Sequence, residues 1–280
     1  MLKLFDYRAT QLRAARARGD QFLFKVAADG VSDRLGAVTR TFPRGLLVGD
    51  ALPGDLKEFA AEWVVAGFDA DEVLAAAPEG FDLAVSLFSL QAINDLPGAL
   101  VQIRRALKPD GLFVGALLGG GTLQELRDSF AHAESETLGG VSPRVSPFGD
   151  VRDLGGLLQR AGFALPVADI ERTLVRYAEF SGLVRDLRAH GLTNVMAERS
   201  RRFLGRRTLA ALLAHYAAHH AHQGKLNASF EIVYLTGWSP HESQQKPLAP
   251  GSARARLSTA LGAEEQSAGE SAGPGLPPRA

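Results

Sequence analysis

The chain has 280 residues, 31 Lys+Arg balanced by 31 Asp+Glu, no cysteine and 46% hydrophobic residues. That is enough apolar material for a sizeable core, and zero net charge excludes bulk attraction to nucleic acid or an anionic membrane surface. The lack of cysteine removes disulfides, thiolate zinc sites, iron–sulfur ligation and a cysteine nucleophile together.

Only six of the basic residues are lysines and alanine is abundant, a bias that fits a GC-rich bacterial coding sequence and leaves the compartment open; a cytoplasmic location is expected. The richest apolar run, Leu112 to Leu118, closes on Gly119-Gly120-Gly121. It is far short of the ~20 residues a spanning helix takes, so no integral membrane segment is expected. At the start, Lys3, Arg8, Arg13, Arg16 and Arg18 face the single acid Asp6. This composition suits an organelle transit peptide or, more simply, a surface helix with Leu4, Tyr7 and Leu12 on its apolar stripe. Gly19-Asp20 breaks that helix, and a second is expected from about Gln21 to Val38, so that residues 1–40 form an N-terminal helical region.

Leu46-Leu47-Val48 reads as a buried strand, Gly49 to Gly54 as a turn, Leu56 to Trp63 as a helix and Trp63-Val64-Val65 as a short strand. Phe81 to Leu87 is a clearer strand. Asn94 or Asp95 then caps a helix with Pro97 in its first turn and Leu100, Ile103 and Leu107 at helical spacing. Lys108-Pro109-Asp110-Gly111 ends it in a tight reversal, and Leu112 to Leu118 is the next strand. Thr122 is expected to open a helix to about Ser135, Gly139 to Pro147 to form a loop, and Val151 to Ala161 a helix. A strand over 168–177, helices over 179–190 and 206–222, and a final strand over 229–238 follow. Strands alternating with amphipathic helices argue an α/β doubly wound sheet over 41–245 with helical insertions. From about Pro250 the Gly, Pro, Ser and Glu content predicts a disordered tail, placed at 246–280.

The pairing of Phe81-Asp82-Leu83-Ala84-Val85-Ser86 with Leu107-Lys108-Pro109-Asp110-Gly111 resembles the class I S-adenosylmethionine-dependent methyltransferases, whose Rossmann-like sheet carries these motifs at its fourth and fifth strands. A closer resemblance rests on Leu4-Phe5-Asp6, Asn94-Asp95-Leu96-Pro97, Gly120 to Arg127, Ser142-Pro143-Arg144-Val145-Ser146-Pro147-Phe148, Asp153 to Leu158 and Gly237 to Gln244. These runs are similar to the mitochondrial complex I assembly factor 5 family and its bacterial relatives. The resemblance implies a methyltransferase fold, S-adenosylmethionine as cofactor, and a protein partner, a complex I subunit, to be methylated or escorted, or hydroxylated on an arginine as by the mitochondrial member.

Three departures bear on the cofactor. The family's first strand ends in hydrophobic-Asp-hydrophobic-Gly-x-Gly-x-Gly, where glycines let the backbone approach the ligand. Here the stretch is Leu46-Leu47-Val48-Gly49-Asp50-Ala51-Leu52-Pro53-Gly54, with only Gly49 in register. Asp50 can stand in for the lost acid and Gly54 for a lost glycine. Only 32 residues separate Val48 from Phe81, whereas two βα units need more than about 50. The sheet is thus expected to be short by about one βα unit, the one whose acid normally clamps the ribose. Asp69, Asp71 and Glu72 match the later segment beside the adenine. Gln91-Ala92 replaces the family's His-Trp. The resemblance therefore assigns Gly49, Asp50, Gly54, Asp71 and Ser86 to a cofactor site that binds S-adenosylmethionine weakly or has lost it, the alternative being a scaffold that works through protein contacts.

His241-Glu242, after the last strand and near Trp238, is the candidate catalytic pair, with a backbone-bonding loop as the competing account. His215, His219, His220 and His222 share one predicted helix. With no carboxylate in that turn they are expected to form a solvated face, and no metal site is expected. Gly119-Gly120-Gly121 suits an anion cradle or, more simply, room for a neighbouring backbone.

Overall fold

The computed structural model describes residues 3–50, 52–245 and 262. The expected tail at 246–280 therefore lies, Gly262 excepted, outside the described residues. The chain divides into units 1–242 and 243–280, and the architecture below is that of the first.

Two helices lead, α1 (Tyr7–Arg16) and α2 (Phe22–Gly36). Asp6 caps α1 by accepting from the amide of Ala9. There follow β1 (Phe42–Val48), a 3₁₀ turn over Gly54–Phe59, β2 (Ala60–Ala66), β3 (Phe81–Leu87), α3 (Leu96–Ala106), β4 (Leu107–Leu118), α4 (Gln124–Leu138) and α5 (Val151–Arg160). The chain then forms β5 (Ala164–Tyr177), α6 (Phe180–Ala189), α7 (Arg206–His219), β6 (Ala221–His222) and β7 (Lys225–Trp238). The sheet order is β2-β1-β3-β4-β7-β5, with β6 attached to β7. The pairs β1–β2, β1–β3 and β3–β4 are parallel, while β7 runs antiparallel to β4 and β5.

Alternation along the central strands builds two apolar layers. Leu47, Leu83, Val85, Leu87, Val114 and Phe230 face α2, α4, α6 and α7. Leu46, Val48, Ala84, Phe113, Leu117 and Val233 face α3 and α5. Every residue of β3 is buried, as a strand covered on both sides must be.

The expected shortening is seen directly. A single strand, β2, lies between β1 and β3 in the chain, and it pairs with β1 from Phe42↔Ala60 to Val48↔Ala66 at the sheet edge. The predicted helix over 56–63 is instead the 3₁₀ turn followed by β2, because Trp63-Val64-Val65 favours an extended backbone that the edge of β1 can pair. A second correction concerns Thr122. Its Oγ donates to the carbonyl of Glu231 rather than capping α4, which starts after Leu123 at φ 55°. The glycine run meets the same strand: Gly121 N–H donates to the Glu231 carboxylate at 2.6 Å, and a side chain at Gly121 would collide with that carboxylate. The run makes room for β7 and its amide already has an internal anion.

Gly30 of α2 packs under Tyr234 of β7, so that a methyl there would overlap the phenol. Tyr234 is fully buried beneath the Arg34 guanidinium, 3.6 Å above its ring. Gly30→Ala is expected to lower stability by about 1–3 kcal/mol despite the higher helix propensity of alanine. Urea unfolding followed by circular dichroism checks this, and an unchanged or raised midpoint would contradict the packing described.

Candidate functional site

In a sheet ordered β2-β1-β3, the chain leaves β1 to one side and returns to the other. This opens a crevice at the carboxyl ends of the two strands. A cavity of about 690 Å³ occupies it. Its floor is Leu47-Val48-Gly49-Asp50 after β1 and Leu87-Phe88-Ser89 after β3, and Gly67-Phe68 after β2 adds a side wall. The Ser89 hydroxyl donates to the carbonyl of Val48 at 2.7 Å and ties the two strand ends together. A Cβ at Gly49 would come within 2.8 Å of that hydroxyl, so the glycine is needed where the strands converge.

The outer wall comes from distant segments, each held by a defined contact. The amide of Phe5 donates to Asn94 Oδ1 at 2.8 Å. Asn94 is itself fixed by Glu72, whose Oε1 accepts from the Asn94 amide and side chain at 2.7 and 2.8 Å while Oε2 accepts from Asp95 N–H at 2.7 Å. Burial raises the Glu72 carboxyl, but these three donors outweigh it and hold the group below the ordinary carboxylate range. His190, buried on the cavity wall, accepts from Leu23 N–H through Nε2 at 3.0 Å, and Nδ1 lies 2.7 Å from the carbonyl of Asp186. That pairing fixes the Nδ1–H tautomer and gives the start of α2 an imidazole cap.

Ser146 and Phe148 reach the cavity from the loop after α4. Its anchor is Glu134, completely buried on α4. The carboxylate accepts from Ser142 N–H at 2.7 Å, from the Ser142 hydroxyl at 2.8 and 2.9 Å, and from Arg144 Nε at 2.6 Å. Burial again pushes the carboxyl up, and the hydrogen bonds from Ser142 and Arg144 win, leaving it below its ordinary value.

The residues expected from sequence divide clearly. Gly49 and Asp50 line the cavity; Gly54 does not, standing exposed at the start of the 3₁₀ turn. Asp71 is exposed and points away, its amide donating to Asp69 Oδ1 at 2.9 Å. The adjacent Glu72, at φ 58°, lines the cavity in its place. Ser86 is fully buried on the face of β3 shared with Ala84, away from the cavity lining, and its Oγ has no hydrogen-bond partner among the described residues. His241 and Glu242 are exposed beyond β7. Because β7 is antiparallel, its end at Trp238 lies beside Leu112, at the far end of β4 from Leu118. The pair is thus about 20 Å of strand from the cavity, and the structure does not bring it to Gly49 and Asp50. Lys25, Glu72, Phe68 and His190 line the site without having been singled out as site residues.

Among the described residues, Asp50 is the lining carboxylate next to the strand end that has no hydrogen-bond partner, while Lys25 is the lining cation. No helix of the described residues is long and apolar enough to cross a membrane.

A family model described as a methyltransferase domain matches residues 21–166, just over half of the chain. A solved structure, the YcgJ protein of Bacillus subtilis, aligns with 78% of this chain and 99% of its own at a TM-score of 0.50 and 10% identity, a likeness of fold alone. The mitochondrial arginine-hydroxylase NDUFAF5 of Danio rerio is 38% identical over 256 residues, covering 83% of this chain and 79% of that one. The human protein of the same name is 45% identical over 184 residues, 65% of this chain and 53% of the relative, so the chain spans about half the length of that relative. With its runs Phe5, Asn94 and Ser142–Phe148 laced around a methyltransferase-type crevice, the chain belongs to the complex I assembly factor 5 family of the methyltransferase superfamily.

Proposed function

We propose that this crevice holds S-adenosylmethionine with modest affinity and that the chain acts on, or escorts, a protein subunit of the respiratory chain. The observation that carries the reading is convergence: Phe5, Asn94, Ser146 and Phe148 close over the same cavity that Gly49 and Asp50 floor.

The methyltransferase fold family binds this cofactor, and the residues present fit it. A volume of about 690 Å³ suits a nucleoside joined to an amino acid. The uncommitted Asp50 carboxylate would accept from a hydroxyl or ammonium group, Lys25 would pair the ligand carboxylate, and Phe68 would cover a base. Two features argue for modest affinity. Glu72 is fully engaged by Asn94 and Asp95, so it offers no second clamp for a ribose. Pro53 lines the cavity without an amide to donate. A dissociation constant of roughly 10 µM to 1 mM is expected.

When bound, the cofactor supplies an electrophilic methyl group. The chain's own residues orient it, exclude water with Phe68, Phe88 and Phe148, and leave the Phe5–Asn94–Ser146 rim for a protein segment. The test is incubation with purified complex I subunits and methyl-labelled cofactor, read by mass spectrometry and by co-purification. The expected result is a subunit that gains the labelled methyl group or that binds stably. Neither modification nor binding of any subunit would overturn the proposal.

A further inference from the structure

Of the histidines whose spacing predicts a solvated face, His219 and His222 are exposed, while His215 and His220 are half-buried against a neighbouring helix. Helix α7 packs along α4, where the Thr137 and Thr208 hydroxyls meet at 2.8 Å. This contact brings Asp128, Ser129 and His132 of α4 to His215, His219 and His220. His220 Nε2 lies 2.9 Å from Asp128 Oδ2, and His215 Nε2 lies 4.0 Å from the same oxygen. The three ligand atoms all fall within 4.8 Å of one another. The His215 ring is stacked between His132, centroid to centroid 4.2 Å, and His219 at 4.3 Å. Its Nδ1 is 3.2 Å from the Ser129 hydroxyl, which leaves Nε2 turned to the carboxylate.

We infer that Asp128, His215 and His220 bind a divalent first-row transition ion, with zinc as the probe. Two imidazole nitrogens and one carboxylate oxygen are a donor set that zinc, nickel and cobalt accept, with a further position open to water. Around an ion with bonds of about 2.0–2.2 Å, neighbouring donors lie roughly 3.0–3.5 Å apart. The pair at 2.9 Å is already near that spacing, and the pair at 4.0 Å needs a shift of under about 1 Å. Asp128 has the freedom to make it, since its side chain is 59% exposed. The Ser129 contact fixes the ring of His215 as a supporting hydrogen bond does for metal-bound histidine. The ion would staple α4 to α7 on the layer that covers the sheet, away from the crevice lining.

The experiment uses the untagged full chain stripped with a chelator, titrated with zinc chloride by calorimetry and with cobalt(II) by visible absorption, beside Asp128→Asn and His220→Gln. Both variants change partly exposed side chains and should leave the fold intact, as circular dichroism will register. One equivalent of zinc at micromolar or tighter affinity is expected, together with a cobalt spectrum of low coordination number. Each variant is expected to weaken binding by at least about tenfold and to abolish the cobalt bands. No saturable binding by the wild-type chain, or binding that both variants retain, would overturn the inference and leave His220–Asp128 an ordinary hydrogen bond.

Discussion

Glu134→Ala is expected to cost about 3–5 kcal/mol of folding stability, the loss typical of removing one member of a buried ion pair. The side chain is wholly buried and its two oxygens take the Ser142 amide, the Ser142 hydroxyl and the Arg144 guanidinium. Alanine leaves Arg144, whose side chain is 16% exposed, without its anion, and frees the loop that carries Ser146 and Phe148 to the cavity. The folded carboxyl is held below its ordinary value, so its contribution is complete above the unfolded carboxylate range, near pH 4.5. It is lost as pH falls through the lower folded value. Urea denaturation of wild type and variant at neutral and at acid pH measures both. The difference between them should shrink on acidification, and a gap that stays constant with pH would contradict the role assigned to the charge.

Glu72→Ala is the second large effect, a loss of about 2–3 kcal/mol. Three donors from Asn94 and Asp95 converge on this carboxylate, and Asn94 in turn holds Phe5. Asp95 also caps α3 by accepting from Gly98 N–H, so the variant unseats the start of that helix and the N-terminal segment together. Because the cavity wall is built on the same network, hydrogen exchange should rise at residues 91–95 and in α1 while the β3–β4 centre stays protected. Uniformly unchanged protection would show that the wall stands without Glu72.

Legibility from sequence followed the range of the interaction. Phe81–Leu87 and the Asp95-capped helix were readable because local composition and tertiary environment agree there. The stretch 56–63 misleads because its fate is decided by the vacant edge of β1, which no periodicity records. Gly49 and Asp50 could be found by their place after a buried strand. Glu72 could not be separated from Asp71 without the turn that Asp69 caps, which points one carboxylate out and its neighbour in. The histidine cluster lacked a visible carboxylate because Asp128 comes from another helix, and only helix packing brings them together.

The most direct measurement is equilibrium binding of S-adenosylmethionine and S-adenosylhomocysteine to the purified full chain, with Asp50→Ala beside it. The account predicts saturable binding in the range of roughly 10 µM to 1 mM, weakened at least about tenfold, or about 1.4 kcal/mol, by the substitution. No binding at millimolar cofactor, or binding indifferent to Asp50→Ala, would contradict the assignment of the crevice and of Asp50 as its ligand-facing carboxylate.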